Sequence, residues 1–597
     1  MTETVAALLQ AHRTSTATPV ETIARSFSRI RAHDDPAVFI SLRKEKEAIA
    51  EAKALMATGL RDLPLYGIPV AVKDNIDVKG LPTTAACPAF AYKPSKDATV
   101  VERLKRAGAI VIGKTNLDQF ATGLVGVRSP YGVPRNALNP ALIPGGSSSG
   151  SAVAVATGLV PLALGTDTAG SGRIPAGLNN IVGLKPSLGL ISTAGVVPAC
   201  RSLDCVSIFA LTTDDAWTAL MAMAGPDSAD PYTKPLPLRM PGGFAPAMRL
   251  AVPRAVDRLF FGDKRAKASF DVALKLIATL GITIVEIDFA PFLEAARLLY
   301  EGPWVAERYA AIGEFIAKHP KQVHPVTRKI ITGGKKSSAV DAFRAFYRLA
   351  ELRAKAQAVL SHIDALMVPT APAAYTVVEI KADPIRLNSN LGTYTNFVNL
   401  LDLAGLSVPA TLASDGTPFG VTFLASAGQD ALLASMGRRF HAATGLPLGA
   451  LARRQPELAE HPAVPAADEV ALAVVGAHLS GMPLNGELKN LGARFLQATL
   501  TAPDYRLYAL ADSTPRKPGL LRVANGDGVA IEIEIWALPA VAFGHFVAAV
   551  PPPLSIGTLT LADGRRVKGF LVESEALAGT RDISSFGGWR AYVAQAT

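Results

Sequence analysis

From Leu65 onward, short and almost wholly apolar runs alternate with amphipathic segments, and this rhythm constrains the fold more than any other feature of the chain. Ile68–Val72, Ala109–Ile112 and Leu159–Leu164 read as buried strands, because a strand covered on both faces needs no polar alternation. Between them Asp97–Ala107 reads as a helix with Val100, Val101 and Leu104 on one face. Strand, turn and helix in succession predict an α/β protein with a central sheet covered by helices. Residues 1–60 read as a helical lead-in, from apolar positions three and four apart in TVAALLQA and ETIARSFSRI. Further helices are predicted over Lys264–Leu280, Pro291–Lys318 and Ala339–Leu360, with strands at Arg249–Val252, Thr283–Ile287 and Asp364–Pro369.

Gly445–Asp468, rich in Ala, Pro and Leu with mixed charge, marks a boundary. It divides the chain into a domain at 1–455, a linker at 456–468 and a smaller α+β domain at 469–597. The smaller part contains strand-like runs at Val470–Val475 and Val529–Trp536, and a hairpin over Leu559–Phe570 that turns at Asp563-Gly564.

Composition excludes several classes of function. With 49% apolar and 18% charged residues the chain has a large core and is not disordered. The formal charge of +10 is dispersed along the chain, without the Lys/Arg clusters of a nucleic-acid binder; it is compatible with an anionic substrate. Three cysteines, Cys87, Cys200 and Cys205, supply neither a disulfide framework nor metal-ligand spacing, and fit a reducing compartment. The start lacks a basic-then-apolar leader, and the most lipid-like run, Ala152–Gly165, is too short to span a bilayer. A cytoplasmic protein without a membrane or nucleic-acid partner is expected.

No histidine lies between His33 and His319, so a serine nucleophile in that stretch needs a base other than imidazole. Lys73, in Gly67-Ile-Pro-Val-Ala-Val-Lys73-Asp-Asn, follows a buried strand, where desolvation lowers its pKa toward the neutral amine a base requires. Ser147 lies in Gly145-Gly-Ser-Ser-Ser-Gly150, and Ser171 in Gly165-Thr-Asp-Thr-Ala-Gly-Ser171-Gly-Arg-Ile-Pro175. The turn Thr168-Ala-Gly-Ser171 offers successive N–H groups to a developing oxyanion. Asp167 and Arg173 read as holding this loop; Ser148, Ser149 and Ser151 read as loop hydrogen-bonders. On the residues alone, Gly145–Gly150 also reads as an anion nest or a flexible turn, although the P-loop ending Gly-Lys-Ser/Thr is absent.

These three motifs resemble those of the amidase signature family, over roughly Leu65 to Ala410. The resemblance implies the amidase-signature fold and a triad in which Ser171 is the nucleophile, Ser147, entered through a cis peptide bond, the relay, and Lys73 the base. It implies an oxyanion hole at Thr168, Ala169 and Gly170, and no metal or organic cofactor. The family usually carries two glycines before the nucleophile; here the first is Ala169.

Within the family, the glycine-bearing turn around Gly123, the pair Tyr300 and Arg308, and the tail beyond residue 468 resemble the allophanate hydrolases. Tyr300 and Arg308 fall on one face of the helix predicted over Pro291–Lys318. The resemblance implies that Arg308 and Tyr300 grip the carboxylate and carbonyl of a small anionic amide, with backbone help from Gly123. It implies ammonia and N-carboxycarbamate as first products and a γ-glutamylcyclotransferase-like C-terminal domain. It also implies decarboxylation there, with His478 involved, and a homodimer. On the residues alone, Arg308 pairing with Glu301 and Glu307 at the surface, Tyr300 in the core, and His478 as a structural residue stay open, as does a docking role for the tail. Open alternatives for the whole chain are another amidase, the A subunit of a glutamyl-tRNA amidotransferase, and a nucleotide-binding module.

Overall fold

The motifs of Lys73, Ser147 and Ser171 lie at and around the strands of a mixed 11-stranded sheet. Its strands are β1 (Phe39–Leu42), β2 (Pro69–Lys73), β3 (Ile110–Thr115), β4 (Leu162–Asp167), β5 (Val182–Lys185), β6 (Cys205–Ala210), β7 (Arg249–Pro253), β8 (Thr283–Ile287), β9 (Ala365–Pro369), β10 (Leu403–Leu412) and β11 (Pro418–Ser426). They lie in the order β1-β3-β2-β4-β6-β5-β10-β11-β9-β7-β8. The structure is a computed structural model and describes residues 4–236, 238–458, 464–510, 514–524 and 526–596. Among the described residues no helix is long and apolar enough to cross a membrane.

Parallel pairing of β2 with β3 and β4 brings the C-terminal ends of these strands together, and Lys73 and Asp167 stand at two of those ends. Both strands are buried throughout, as their unbroken apolar runs require. The helix Thr99–Arg106 buries Val100, Val101 and Leu104, the expected face. The helix Ser149–Ala156 is buried on all sides, which its small residues permit. A Cβ on Gly150 would lie 2.3 Å from Val38 O and 2.6 Å from Asn116 N, so the backbone approaches as closely as glycine allows.

Two expectations need correction. The helix predicted over Pro291–Lys318 is two helices, Ala290–Glu301 and Trp304–Lys318. Pro303 disfavours helical geometry in the residue before it, and Gly302 is extended at φ −96°, ψ −172°. The lead-in is also not wholly helical: after Val5–Arg13 and Pro19–His33 comes β1, before the helix Glu45–Ala57. The long antiparallel pair β10–β11 escaped the sequence reading. Pro409 argues against a central strand, but the pairing register shifts between Pro409 and Thr411, so the regular ladder is interrupted at the proline.

The segment after the helix Asp430–Thr444 stays on the main body. Leu448 is buried, Gly449 N donates to Asn180 O, and Ala450 N donates to Ala156 O. Of the expected linker, residues 459–463 lie outside the described residues. The C-terminal part has a five-stranded sheet in the order β13-β16-β12-β18-β17 and a three-stranded sheet in the order β15-β14-β19. These strands are β12 (Glu469–Val474), β13 (Arg494–Leu500), β14 (Tyr505–Ala509), β15 (Pro518–Arg522), β16 (Glu532–Pro539), β17 (Leu554–Thr560), β18 (Arg566–Val572) and β19 (Arg581–Asp582). The hairpin β17–β18 turns with Gly564 at φ +84°. Helices Asn485–Asn490, Ala540–Ala548 and Trp589–Ala596 complete an α+β unit.

Candidate active site

Lys73 ends β2 with no exposure to solvent. Its Nζ lies 2.7 Å from Ser147 Oγ and 2.7 Å from Thr166 Oγ1. Burial lowers its pKa to about 7, against the opposing charges of Asp118, Asp167 and Asp204. A neutral amine that donates to Thr166 keeps a lone pair for the Ser147 hydroxyl proton. The Gly146–Ser147 peptide is cis, and Ser147 O accepts from Asp118 N at 3.0 Å. The neighbouring serines bond elsewhere: Ser148 Oγ to Thr166 O, Ser149 Oγ to Asn116 O and Ser151 Oγ to Leu164 O.

Ser171 sits in a loop clamped from beneath. Asp167 accepts from Gly170 N (2.8 Å), Gly172 N (3.1 Å) and both Nε and Nη2 of Arg173 (2.9 and 3.0 Å). Burial raises the Asp167 pKa, but the Arg173 guanidinium, Lys185 and the Gly170 N–H together hold the carboxyl below its ordinary range. Arg173 also donates to Thr395 O, and Asn399 Nδ2 ties Asp167 O to Leu203 O. Ser171 is 3% exposed, and its Oγ donates to Gly123 O at 3.5 Å rather than to Ser147.

The expected oxyanion donors divide. Gly170, one of the three, directs its N–H to Asp167, away from any substrate. Among the described residues the N–H groups of Thr168, Ala169 and Ser171 donate to no protein acceptor. Thr168 is held by its hydroxyl, which donates to half-buried Asp204 Oδ1 at 2.5 Å.

Tyr300 and Arg308 are in contact, but not as neighbours on one helix. A continuous helix would separate them by about 12 Å along its axis. The break at Gly302-Pro303 folds them together instead, with Arg308 Nη2 3.5 Å from Tyr300 Oη and the guanidinium 5.5 Å from the ring centre. Arg308 is 1% exposed, its Nη1 donates to Thr122 Oγ1 at 3.2 Å, and its Nε has no partner. Among the described residues no carboxylate forms an ion pair with it. Glu307 instead accepts from Ser202, and Glu301 is exposed. Thr122 adjoins Gly123, so the guanidinium and the Ser171 hydroxyl border one site.

His478 belongs to a different place. It lines a cavity of about 300 Å³ in the C-terminal unit, stacked on Phe570 and edge-on to Phe546. Its Nε2 lies 3.0 Å from Glu487 Oε2, and burial lowers its pKa despite that carboxylate. Among the described residues no His/Cys/Asp/Glu group is arranged to hold a metal. Sequence reasoning missed Asp118, Thr122, Thr166 and Asp204. Asp118 had a local signal, a short acidic side chain ahead of a glycine-rich turn, whose N–H groups at Val125, Gly126 and Arg128 it accepts. The others meet the site only through strand pairing and helix packing.

A large mixed sheet covered by helices, carrying buried lysine and serines on adjoining loops, defines an amide-hydrolysing class, and the chain belongs to the amidase family, whose model matches residues 21–434. Residues 470–594 match the allophanate hydrolase C-terminal domain. The chain is 43% identical to the solved allophanate hydrolase of Kluyveromyces lactis, covering 100% of this chain and 99% of that one, with a TM-score of 0.79. It is 46% identical to the urea amidolyase of Saccharomyces cerevisiae over 93% of its own length; it spans about a third (31%) of that relative. The A subunit of the glutamyl-tRNA(Gln) amidotransferase of Thermus thermophilus is 33% identical over 71% of this chain and 94% of that one.

Proposed function

We propose that this chain hydrolyses allophanate, urea-1-carboxylate, to ammonia and N-carboxycarbamate, which goes on to carbon dioxide and ammonia. The observation that carries this reading is the Arg308 guanidinium, buried against Thr122, next to the Gly123 carbonyl that Ser171 contacts, and without a carboxylate ion pair. A buried cation without a direct carboxylate ion pair has room for an anionic ligand, and a planar guanidinium matches a carboxylate. The likeness to a solved allophanate hydrolase along nearly the whole of both chains supports the same substrate. The amidotransferase relatives match only the amidase part, leaving the C-terminal unit unexplained.

Ser171 Oγ attacks the terminal carbamoyl carbon as its proton passes through Ser147 to Lys73. The N–H groups of Thr168, Ala169 and Ser171 receive the oxyanion. Collapse breaks the C–N bond, the lysine returns the proton to the leaving amine, and ammonia departs. Water attacks the acyl-enzyme, losing its proton to the same relay, and N-carboxycarbamate is released. His478, neutral beside Glu487, serves the following decarboxylation in its own cavity. The protein works in the cytoplasm as a homodimer during urea breakdown.

Ammonia release from allophanate by the purified chain tests the reading. Ser171→Ala should lower it by roughly 10⁴-fold or more; substantial residual turnover refutes the nucleophile assignment. Arg308→Ala should raise KM for allophanate far more than for a neutral amide, and equal effects remove Arg308 from the substrate site. His478→Asn should let N-carboxycarbamate accumulate while the first ammonia is released at the normal rate.

A further inference from the structure

Thr122 lies where two buried guanidinium groups meet. Arg308 Nη1 donates to its hydroxyl at 3.2 Å, and Arg128 Nη1 donates to its carbonyl at 2.9 Å. The hydroxyl proton is directed to Phe120 O at 3.1 Å, which leaves a lone pair facing Arg308. Arg128 is pinned in turn by Pro384 O at 2.6 Å. With Nη1 of Arg308 anchored on Thr122, its Nε–Nη2 edge is the side left for a two-point grip on a carboxylate, and that Nε has no partner.

The residue after Thr122 reaches the other end of the site. Gly123 has φ +153°, and its carbonyl accepts from Ser171 Oγ at 3.5 Å. A Cβ there would lie 2.6 Å from Asp118 Oδ2 and 3.1 Å from Arg128 Nη1, so the chain has no latitude at this point. Leu124 N is held by Asn388 Oδ1 at 2.8 Å. The hydroxyl that orients Arg308 and the carbonyl opposite the nucleophile thus belong to consecutive, rigidly held residues.

We propose that Thr122 is a specificity-setting positioning residue: it aims Arg308 and fixes its distance from Ser171, so that the site selects amides whose carboxylate is one atom from the carbamoyl carbon. This rests on Arg308 as the carboxylate ligand. An arginine without that anchor keeps its charge but loses its orientation, and a mis-aimed fork binds a short anion less well.

Thr122→Val keeps the shape and removes the acceptor, whereas Thr122→Ser keeps the hydroxyl. The readouts are KM and kcat for allophanate and Ki for two probes. Malonamate has CH₂ in place of the bridging N–H of allophanate, and succinamate is one CH₂ longer. Thr122→Val should raise KM and the malonamate Ki about tenfold and narrow the preference for malonamate over succinamate. The kcat and the pH midpoint of kcat/KM should stay in place, and Thr122→Ser should restore wild-type binding. A fall in kcat with KM unmoved, or a serine variant as impaired as the valine variant, overturns the proposal. Should the valine variant unfold, Thr122→Ala gives the same readouts without added bulk. Arg308→Met separates the two levels: an unchanged malonamate Ki overturns the carboxylate site itself. Weakened binding there, with Thr122→Val like wild type, overturns only the role of Thr122.

Discussion

A lysine acts as a base only in its neutral form, and complete burial brings Lys73 to a pKa of about 7. Below that value the amine is protonated and cannot take the Ser147 proton, so kcat/KM should fall about tenfold per pH unit as the solution becomes more acidic. A rate profile flat from pH 8 to pH 5 would remove Lys73 from the base role. Lys73→Met should lower turnover at least about a thousandfold without unfolding the chain, because a buried amine is replaced by an apolar side chain of similar length. Circular dichroism and ammonia release on the same sample check both halves of that statement.

At the scale of elements, the loop that carries Ser171 is held in shape by one ion pair. Asp167 and Arg173 have fully buried side chains, and each satisfies backbone groups as well as the other. Arg173→Met leaves a buried carboxylate uncompensated and should cost about 3–5 kcal/mol of stability, read by urea denaturation. A loss no larger than that of a surface substitution would show that the loop is held by other means. The break at Gly302-Pro303 belongs to the same scale. It converts a sequence separation of two helical turns into direct contact between Tyr300 and Arg308.

Across the whole molecule, the C-terminal unit is built onto the amidase body. Gly243 N donates to Phe495 O at 2.8 Å, Arg239 pairs with Asp468 at 2.9 Å, and Lys489 pairs with Asp364. Ala245 and Met248 belong to the same apolar cluster as Phe495 and Leu496. A chain cut after residue 458 should therefore melt at a lower temperature and self-associate, detectable by calorimetry and light scattering; unchanged melting would mean the units are independent. One contribution to acid stability lies inside the body. His441 is buried, and burial lowers its pKa to about 4. Because the unfolded chain takes up this proton near pH 6.5 and the folded one only near 4, stability falls as pH drops through that window. His441→Leu should remove about 2 kcal/mol of the stability difference between pH 7 and pH 4.5, measured by urea melts at both.

Local chemistry was legible in the sequence. Unbroken apolar runs identified β2, β3, β4 and β9, because strands covered on both faces have no polar alternation to obscure them. The absence of histidine from His33 to His319 turned attention to Lys73, whose strand-end position implied burial. What the sequence could not express is which groups converge. Thr166 reaches Lys73 through parallel pairing of β2 with β4, and Thr122 reaches Arg308 across 186 residues. Gly170 looked like an oxyanion donor until the fold turned its N–H onto Asp167. Periodicity and residue type report the environment of each segment, whereas hydrogen-bond partners and the distance between charges are set by the packing of distant segments.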